Sequence, residues 1–332
     1  MTFKYNNVYL NETATVTGPY EAKGPLSKYF DRSYDDLYFN APTWEQAESK
    51  SISDAVDILL GKAGMTRFDI DMFISGDLLN QLTASNYAAA NMPSSFMGVY
   101  AACATSTLGL ATGANLVEGG MADKVLCATS SHNNGAEKQF RYPVEYGGPK
   151  PKTTTFTSTG SAVALLSSKK SNIKVDSATI GTVVDSEIND VFNMGAVMAP
   201  AAADTIYKHL MDTGRNIDYY DLVLTGDLGI YGKEILKEYM QTEYGISLDK
   251  YNDTGTMLYS LERQPVYAGA SGPACAPLVT YGYILDQMRA KKLKKVLVVA
   301  TGALMSQTMA NQKLTIPAVA HAISLEAVRW FI

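Results

Sequence analysis

Two patterns of hydrophobic and polar positions run along this chain, and they predict different elements. The runs ISGD, LVLTGD, KVLCATS, AVALLS and KVLVVAT are short, continuously apolar and end in small polar residues, which is typical of strands covered on both faces. After Pro42, the side chains of Trp44, Ala47, Ala55 and Leu59 fall on one helical face, which predicts an amphipathic helix. We therefore expect a mostly parallel sheet with helices packed against it.

The chain also repeats itself. GMTRFDIDMFISGD at 64–77 returns as GRNIDYYDLVLTGD at 214–227, an offset of 150, and the ACA around Cys103 returns around Cys275, an offset of 172. The difference, 172 − 150, means that about 22 residues entered the second copy between 227 and 275. We expect this insertion to form a surface excursion.

The ends of the helices follow from the same repeat. A helix is predicted before each of the two strands that end in Gly-Asp, ISGD and LVLTGD. Proline is tolerated in a first helical turn, so the two helices are predicted to begin at Pro42 and Pro200. Thr43 and Gln46 have capping-box spacing. The segments after the two ACA motifs are apolar nearly all round, which predicts helices buried between layers.

Together these elements predict an α/β fold, a duplicated layered α/β/α/β/α sandwich with pseudo-two-fold symmetry. Its two halves are expected at residues 1–171 and 172–332.

Composition narrows the function classes. The chain has 332 residues, 46% of them hydrophobic, and a net charge of −5. Such a chain can bury a large core, and without a basic block to grip phosphates it is not expected to bind nucleic acid. No stretch approaches the roughly 20 apolar residues of a membrane-spanning helix, so any membrane attachment is expected to be peripheral.

The cysteines offer one candidate for chemistry. Cys103, Cys127 and Cys275 lie far apart and form no CxxC pair, which argues against a disulfide scaffold or a metal site and favours a reducing compartment. Cys103 lies where a strand-like segment meets a helix, so its thiol could lose a proton more readily at the positive helix end. The alternative is that Cys103 is a small buried hydrophobe, which is the interpretation we give to Cys127 and Cys275.

The duplicated half with a Cys before a buried helix, followed by TTTFTSTGSAVALLS at 153–167, resembles the thiolase and ketoacyl-synthase superfamily. Within it, GPLSKYFD at 24–31, ATSSHNNGAEKQFRYPVEYGGPKP at 128–151 and MAPAAADTI at 198–206 resemble the stage V sporulation protein AD family. That resemblance implies a protein that binds dipicolinic acid, with or without Ca²⁺, for uptake into the developing spore. It also implies a homodimer, no cofactor, membrane subunits of the same operon as partners, and a peripheral place at the forespore inner membrane.

The chain differs from condensing enzymes at the positions of the polar groups that assist the catalytic thiolate. Condensing enzymes assist the thiolate with a His and a second polar group, but at the matching strand ends this chain reads TGDLG and, at 268–272, AGASG. We expect His209 to be solvated on its helix and His321 to be a strand residue. The leading hypothesis is therefore a binding protein with Cys103 as a vestigial nucleophile. The alternative is an acyltransferase or ketoacyl synthase that uses His132 or His321 as an unusual base.

Ligands of open α/β sheets bind beyond the carboxyl ends of strands, so we expect the site residues to lie there and near Cys103. His132 could donate to an anion or only fix its loop, and Arg141 could bind a carboxylate or pair with Glu137 or Glu145. The two aspartates are awkward beside a dianion unless they are protonated, paired or bridged by calcium. The predicted ligand-binding residues are Cys103, Ser131, His132, Asn133, Arg141, Asp77, Asp227 and Ser271.

Overall fold

The computed structural model describes residues 1–140 and 150–328. Its strands are β1 (Thr2–Lys4), β2 (Tyr9–Thr17), β3 (Arg32–Ser33), β4 (Met72–Gly76), β5 (Ser95–Gly98), β6 (Lys124–Ser131), β7 (Phe156–Thr157), β8 (Gly160–Ser167), β9 (Ile173–Val184), β10 (Leu222–Thr225), β11 (Tyr251–Asp253), β12 (Ala270–Ser271), β13 (Lys295–Ala303) and β14 (Ala318–Ala327). Its α-helices are α1 (Trp44–Ala63), α2 (Thr83–Ala89), α3 (Thr105–Glu118), α4 (Asn133–Phe140), α5 (Met194–Thr213), α6 (Gly229–Tyr244), α7 (Thr254–Met257), α8 (Cys275–Leu278), α9 (Leu285–Arg289) and α10 (Gln307–Asn311), and a π-helical segment, Val279–Ile284, joins α8 to α9.

The strand order repeats about a pseudo-two-fold axis. The sheet runs β11-β10-β13-β14-β9 and then β2-β8-β6-β4-β5, so each half contributes five strands in the same relative order. The two sets meet through a short pairing of Tyr9 and Leu10 with Lys174 and Ile173. Along this strand order the parallel pairs are those of β5-β4-β6 and β11-β10-β13, whereas β2, β8, β9 and β14 pair antiparallel with their neighbours. Off this path, β3 pairs parallel with β2. The sheet is therefore mixed, because the AVALLS run forms an antiparallel strand.

Alternating side chains sort the sheet into layers, as strands covered on both faces require. Val125 and Cys127 of β6 point to a central apolar cluster shared with α3 and α8, while Leu126 points to an outer cluster under α1. In β13, Val296 joins the central cluster and Leu297 the outer cluster under α5. The predicted layered α/β fold is confirmed. No helix in the described ranges is long and apolar enough to cross a membrane.

The first helix begins as predicted and the second does not. Thr43 caps α1 by accepting a hydrogen bond from the amide of Gln46 at 3.3 Å. In contrast, α5 begins at Met194, capped by Asn193, and Pro200 lies inside it. The apolar residues before the proline favour an earlier start, because they are buried against the second half of the sheet.

Two further expectations are wrong. His209 is fully buried, and its ring nitrogens bond the hydroxyls of Thr179 on β9 and of Tyr220 at 2.7 Å each. The inserted residues of the second copy do not form a surface excursion. They include the segment after α7, whose Tyr259 side chain is buried and donates a hydrogen bond to buried Glu21 of the first half.

Candidate functional site

A cleft opens at the carboxyl ends of the central strands, between the two halves. It has an empty volume of about 560 Å³, part of which is open to solvent. Its lining residues are Leu78, Tyr100, Ala102, Cys103, Ala136, Glu137, Phe140, Thr155, Thr157, Met194, Met198, Ser271, Ala303 and Met305. An outer groove along Asn80–Leu82 and Leu304–Thr308 shares four of these residues and continues the cleft to the surface.

Cys103 lies where a strained turn meets a buried helix. Ala102 has φ +47°, a left-handed conformation that costs a residue with a Cβ about 1 kcal/mol or more. The Thr105 hydroxyl holds this turn, accepting from the Ala101 amide at 3.1 Å and donating to the Ala102 carbonyl at 2.6 Å. The turn places the thiol beside the first residues of α3, where the helix dipole favours a thiolate.

A two-stranded parallel ribbon, β7 with β12, joins the halves beside Cys103. The Phe156 amide donates to the Gly269 carbonyl, and the Ser158 amide to that of Ser271, each at 2.7 Å. Across the ribbon the Thr155 hydroxyl donates to the Ser271 hydroxyl at 2.9 Å. The ribbon thereby brings hydroxyl groups from both halves to one wall of the cleft.

Gly272 allows this wall to close. It has φ +102°, and a Cβ there would lie 2.8 Å from the Ser131 hydroxyl and 3.0 Å from a Thr157 methyl. Only glycine fits both the backbone conformation and the space. The sequence AGASG thus carries a packing requirement as well as the cleft-lining hydroxyl of Ser271.

The remaining cleft surface is mostly apolar, with one carboxylate. Met194 and Met198 of α5 and Met305 after β13 supply thioether side chains, and Glu137 of α4 lines the cleft while its carboxylate pairs with Lys150 at 2.8 Å. Within the described residues, the lining contains no Lys, Arg or His side chain. The charge of the lining itself is therefore negative, with the Lys150 ammonium next to it.

Of the predicted site residues, Cys103 and Ser271 line the cleft. Ser131 and Asn133 lie behind its wall: the Ser131 hydroxyl donates to the Ser158 carbonyl at 2.8 Å, and the Asn133 side-chain amide to the Thr157 carbonyl at 3.2 Å. Both residues hold the loop that carries the lining threonines.

His132 is buried beneath α4 and away from the cleft lining. Its Nε2 bonds the Leu37 carbonyl at 2.8 Å, and its ring stacks near Trp44. Burial lowers the pKa of this imidazole below its usual value, an effect that the Leu37 contact only partly offsets, so the neutral ring is favoured. This geometry matches the loop-fixing alternative. Arg141 lies outside the described residues, and its role stays a prediction.

Asp77 and Asp227 are fully buried and do not line the cleft. Asp77 accepts from the Leu79 and Ser85 amides at 2.9 and 2.8 Å, which fixes the chain after β4. Neither oxygen of Asp227 has a hydrogen-bond partner among the described residues. The Cys275 thiol comes near it without meeting hydrogen-bond geometry, and burial raises the pKa of Asp227 well above its usual range.

The other histidines are also distant from the cleft lining. His321 faces the amide of Gly181, which donates to its Nδ1 at 3.2 Å, and burial lowers the pKa of its ring to about 4. His209 is buried beside Thr179 of β9, so none of the three histidines, all in the described part of the chain, lines the cleft. The residues that face Cys103 instead carry hydroxyl, thioether and carboxylate groups.

Sequence reasoning missed several lining residues. Thr155 and Thr157 lie within the string TTTFTSTG that carried the superfamily resemblance, so a closer look at its hydroxyls could have found them. Met194 and Met198 precede Pro200, where no helix was predicted. For Glu137 the sequence suggested only an ion pair with Arg141, and its place in the cleft lining was missed.

Comparison with known proteins gives one family. A sequence model of the stage V sporulation protein AD (SpoVAD) family matches residues 1–326. The stage V sporulation protein AD of Bacillus subtilis (strain 168) is 46% identical over 319 residues, which make up 96% of this chain and 94% of that protein.

Solved structures share the fold at low identity. A variant of OleA from Xanthomonas campestris superposes with a TM-score of 0.61 and 14% identity, covering 98% of this chain and 99% of that one. The 3-oxoacyl-[acyl-carrier-protein] synthase III from Aquifex aeolicus VF5 gives a TM-score of 0.59 and 12% identity, covering 96% of this chain and 99% of that one. These likenesses establish a thiolase-like, condensing-enzyme fold.

Proposed function

Because this chain belongs to the stage V sporulation protein AD family, we propose that its cleft binds dipicolinic acid, pyridine-2,6-dicarboxylate, and supports uptake of that molecule into the developing spore. The observation that carries the proposal is the composition of the cleft. Hydroxyl groups of Thr155, Thr157 and Ser271 stand on one wall, and the thioethers of Met194 and Met198 line apolar surface. A flat ring with carboxylates at its ends needs both kinds of surface.

The negative charge of the ligand opposes its binding beside Glu137, and a calcium ion would neutralise that charge. Glu137 lines the cleft, and a carboxylate facing a free dianion is repulsive. A calcium ion carried by the ligand would cancel its two charges, and Glu137 would then offer the oxygen that such a cation prefers. The described residues contain no cluster of three or more His, Cys, Asp or Glu arranged to hold a metal. We therefore propose that the calcium arrives with the ligand.

The arrangement around Cys103 supports binding in preference to catalysis. A thiolate nucleophile works with a base and an oxyanion-stabilising group within hydrogen-bond reach. In the described part of the chain no histidine lines the cleft with Cys103, and the one carboxylate of the lining, Glu137, is paired with Lys150. Burial, with the Cys103 and Asp77 charges, raises the pKa of Tyr100 to about 12, so this phenol is a poor base at neutral pH. We propose that Cys103 is a vestigial nucleophile.

Calorimetric titration of the full chain tests this function. Pyridine-2,6-dicarboxylate should bind saturably with calcium and more weakly without it, and the 2,3-dicarboxylate isomer should not bind. Ser271→Ala should weaken binding about 5- to 10-fold through loss of one hydrogen bond, whereas Ser53→Ala on α1, outside the cleft, should leave the affinity unchanged. Absence of binding with both forms of the ligand would rule out the proposed function for the isolated chain.

The second candidate function is acyl transfer, which the position of Cys103 at the start of α3 favours. Incubation with an acyl-CoA and mass spectrometry separate the two. A stoichiometric mass increase that disappears in Cys103→Ala identifies an acyl-enzyme, and an unchanged mass supports the binding protein.

We also propose that the chain forms a two-fold homodimer through the edge of its sheet. Strand β5 ends the strand order, and Phe96, Tyr87 and Tyr100 near it are exposed at 39%, 71% and 46%. An open edge with apolar side chains favours pairing with a second copy. Sedimentation should give a dimer that Phe96→Glu dissociates. Family membership further supports a peripheral place at the forespore inner membrane, with membrane subunits of the same operon as partners.

A further inference from the structure

A block of positive charge lies in the turn between α9 and β13. Residues 289–295 read RAKKLKK, with five cations in seven positions, although the whole chain carries a net charge of −5. The overall composition conceals this block, and the expectation that the chain has none is wrong. The duplicated turn of the first half, 118–124, reads EGGMADK, with one cation and two carboxylates.

The two turns have the same backbone. At an offset of 171, Gly120 corresponds to Lys291, and their φ angles are +65° and +62°. The amides of Gly119, Gly120 and Met121 donate to the carbonyls of Asn115, Val117 and Leu116, and those of Ala290, Lys291 and Lys292 donate to the corresponding carbonyls of Asp286, Met288 and Gln287. This turn therefore forms without the cations.

Lys291 stands in a conformation that disfavours it. A left-handed residue with a Cβ costs roughly 1 kcal/mol more than glycine, and the first copy has glycine at this position. The second copy keeps a lysine there despite the strain. The backbone of this turn therefore does not require the lysines or their positive charge.

Further cations extend the block across the surface. Lys170, in the turn between β8 and β9, lines a groove together with Arg289. The end of β14 ties the two turns together, because the amide of Ala327 donates to the Lys294 carbonyl at 2.8 Å and that of Val328 donates to the Asn172 carbonyl at 2.9 Å. We call this surface the basic pole, defined by the exposed residues Lys169, Lys170, Arg289, Lys291, Lys292 and Lys294.

Acidic side chains at the basic pole are fewer. Glu326 faces Lys294 at 3.9 Å, and Glu12 and Asp123 line grooves beside Lys170. Asp221 accepts from the amides of Lys294 and Lys295, and Asp286 lies on α9 before Arg289. With Lys124 and Lys295 at the margin of the basic pole, eight cations stand against these five carboxylates, and the surface is positive by three charges. The basic pole is also remote from the cleft, because β13 begins at Lys295 beside one and ends at Ala303 in the other, about 26 Å apart at the rise of an extended strand.

We propose that the basic pole docks the protein onto an anionic phospholipid bilayer, with the cleft facing away from the lipid. Clusters of four to eight Lys and Arg bind anionic membranes electrostatically. The inference rests on the proposed peripheral place at the membrane and names the surface that would contact it. The proposed ligand binding uses the cleft, so vesicle binding and ligand binding can fail separately.

The chemistry of the basic pole favours a bilayer over other polyanions. Neither 169–174 nor 289–295 contains an aromatic residue, and proteins that bind single-stranded nucleic acid stack its bases on aromatic side chains. Leu293 is half-buried against the central cluster, so the α9–β13 turn lacks the exposed apolar anchor that a protein partner would use. A diffuse array of long cations suits a planar anionic surface.

The experiment is co-sedimentation of the full chain with vesicles. Wild-type protein should bind vesicles of phosphatidylglycerol and phosphatidylcholine in equal parts and dissociate from them at high salt. It should not bind vesicles of pure phosphatidylcholine. Lys291→Gly with Lys292→Gln should weaken partitioning about 10- to 30-fold, since each lysine near the surface adds about 1 kcal/mol. The same variant should unfold at the same or a higher temperature, because glycine relieves the strain at position 291.

A matched control removes two exposed lysines elsewhere. Lys313 also has a positive φ, +62°, and Lys152 is exposed near β7, so Lys313→Gly with Lys152→Gln repeats both the charge change and the backbone change away from the basic pole. This variant should bind vesicles like the wild type. Equal losses in the two variants, equal binding to pure phosphatidylcholine, or binding to RNA with none to anionic vesicles would overturn the proposal.

Discussion

Asp77 and Asp227 occupy equivalent positions in the two copies, yet two backbone amides donate to Asp77 and none donates to Asp227. In the second half that task belongs to Asp253, which accepts from the amides of Leu228 and Gly229 at 3.2 and 2.9 Å. Asp253 stands on β11 where the first copy has Gly98 on β5, so the second copy accepts these amides with a carboxylate from the neighbouring strand, and Asp227 is buried without a hydrogen-bond partner among the described residues.

The pKa of Asp227 makes its effect on stability depend on pH. Burial raises the folded-state pKa, so above the unfolded value near 4 the native state holds the proton more tightly and the free energy of unfolding falls as pH rises. Asp227→Asn removes this loss and tolerates the φ of +70°. We expect a gain of about 1 to 2 kcal/mol at pH 8 and little at pH 4, measured by urea unfolding.

Asp77→Asn is the paired control. An amide nitrogen in place of one carboxylate oxygen would face a backbone N–H that now has no acceptor. We expect this variant to lose about 1 to 2 kcal/mol. Equal stability changes in the two variants would contradict the difference in their hydrogen bonding.

Cys103 should be the thiol that reacts in the native protein. It is half-exposed in the cleft, whereas Cys127 and Cys275 are buried, and burial raises the pKa of both. Iodoacetamide should therefore add one label to the native chain, none to Cys103→Ser, and three labels to the wild type in urea. Dipicolinate should slow the native reaction, and labelling of Cys275 before unfolding would contradict this geometry.

Gly272→Ala should damage the cleft wall. The new methyl would press on Ser131 and Thr157 at a φ of +102°, at a cost of about 1 to 3 kcal/mol. Ser131→Gly in the same chain should recover part of that loss by removing one contact. Gly61→Ala in α1, where a Cβ meets nothing within 4 Å, should instead stabilise the protein by about 0.5 to 1 kcal/mol.

His209 should make the protein sensitive to acid. Burial, with the charge of Arg215, lowers its pKa to about 4, so between pH 6.5 and 4 the unfolded state binds the extra proton and the free energy of unfolding falls as pH falls. The full effect is about 3 kcal/mol. His209→Gln should reduce this slope, to which His321 also contributes, while losing about 1 to 3 kcal/mol at pH 8 through its two hydrogen bonds; an unchanged slope would count against the assignment.

The sequence predicts the layers well because both sheet faces are covered by the same repeated pattern. The GD strands, the cap at Thr43 and the buried helix after Cys103 all follow from local spacing. Local spacing could not predict contacts between separate segments: the His209 ring bonds Thr179 and Tyr220, and Tyr259 donates to Glu21 across the halves. Of the cleft lining the sequence predicted only Cys103 and Ser271, because the ribbon pairs segments more than a hundred residues apart.

The pairing of β7 with β12 in this ribbon also determines the stage of synthesis at which the cleft can form. Thr155 and Thr157 leave the ribosome long before Ser271, and until β12 pairs with β7 they have no second wall to face. A chain that stops short of β12 folds, at most, a first half without a cleft. The cleft is therefore completed late in translation, once both copies of the repeat have been made and have docked.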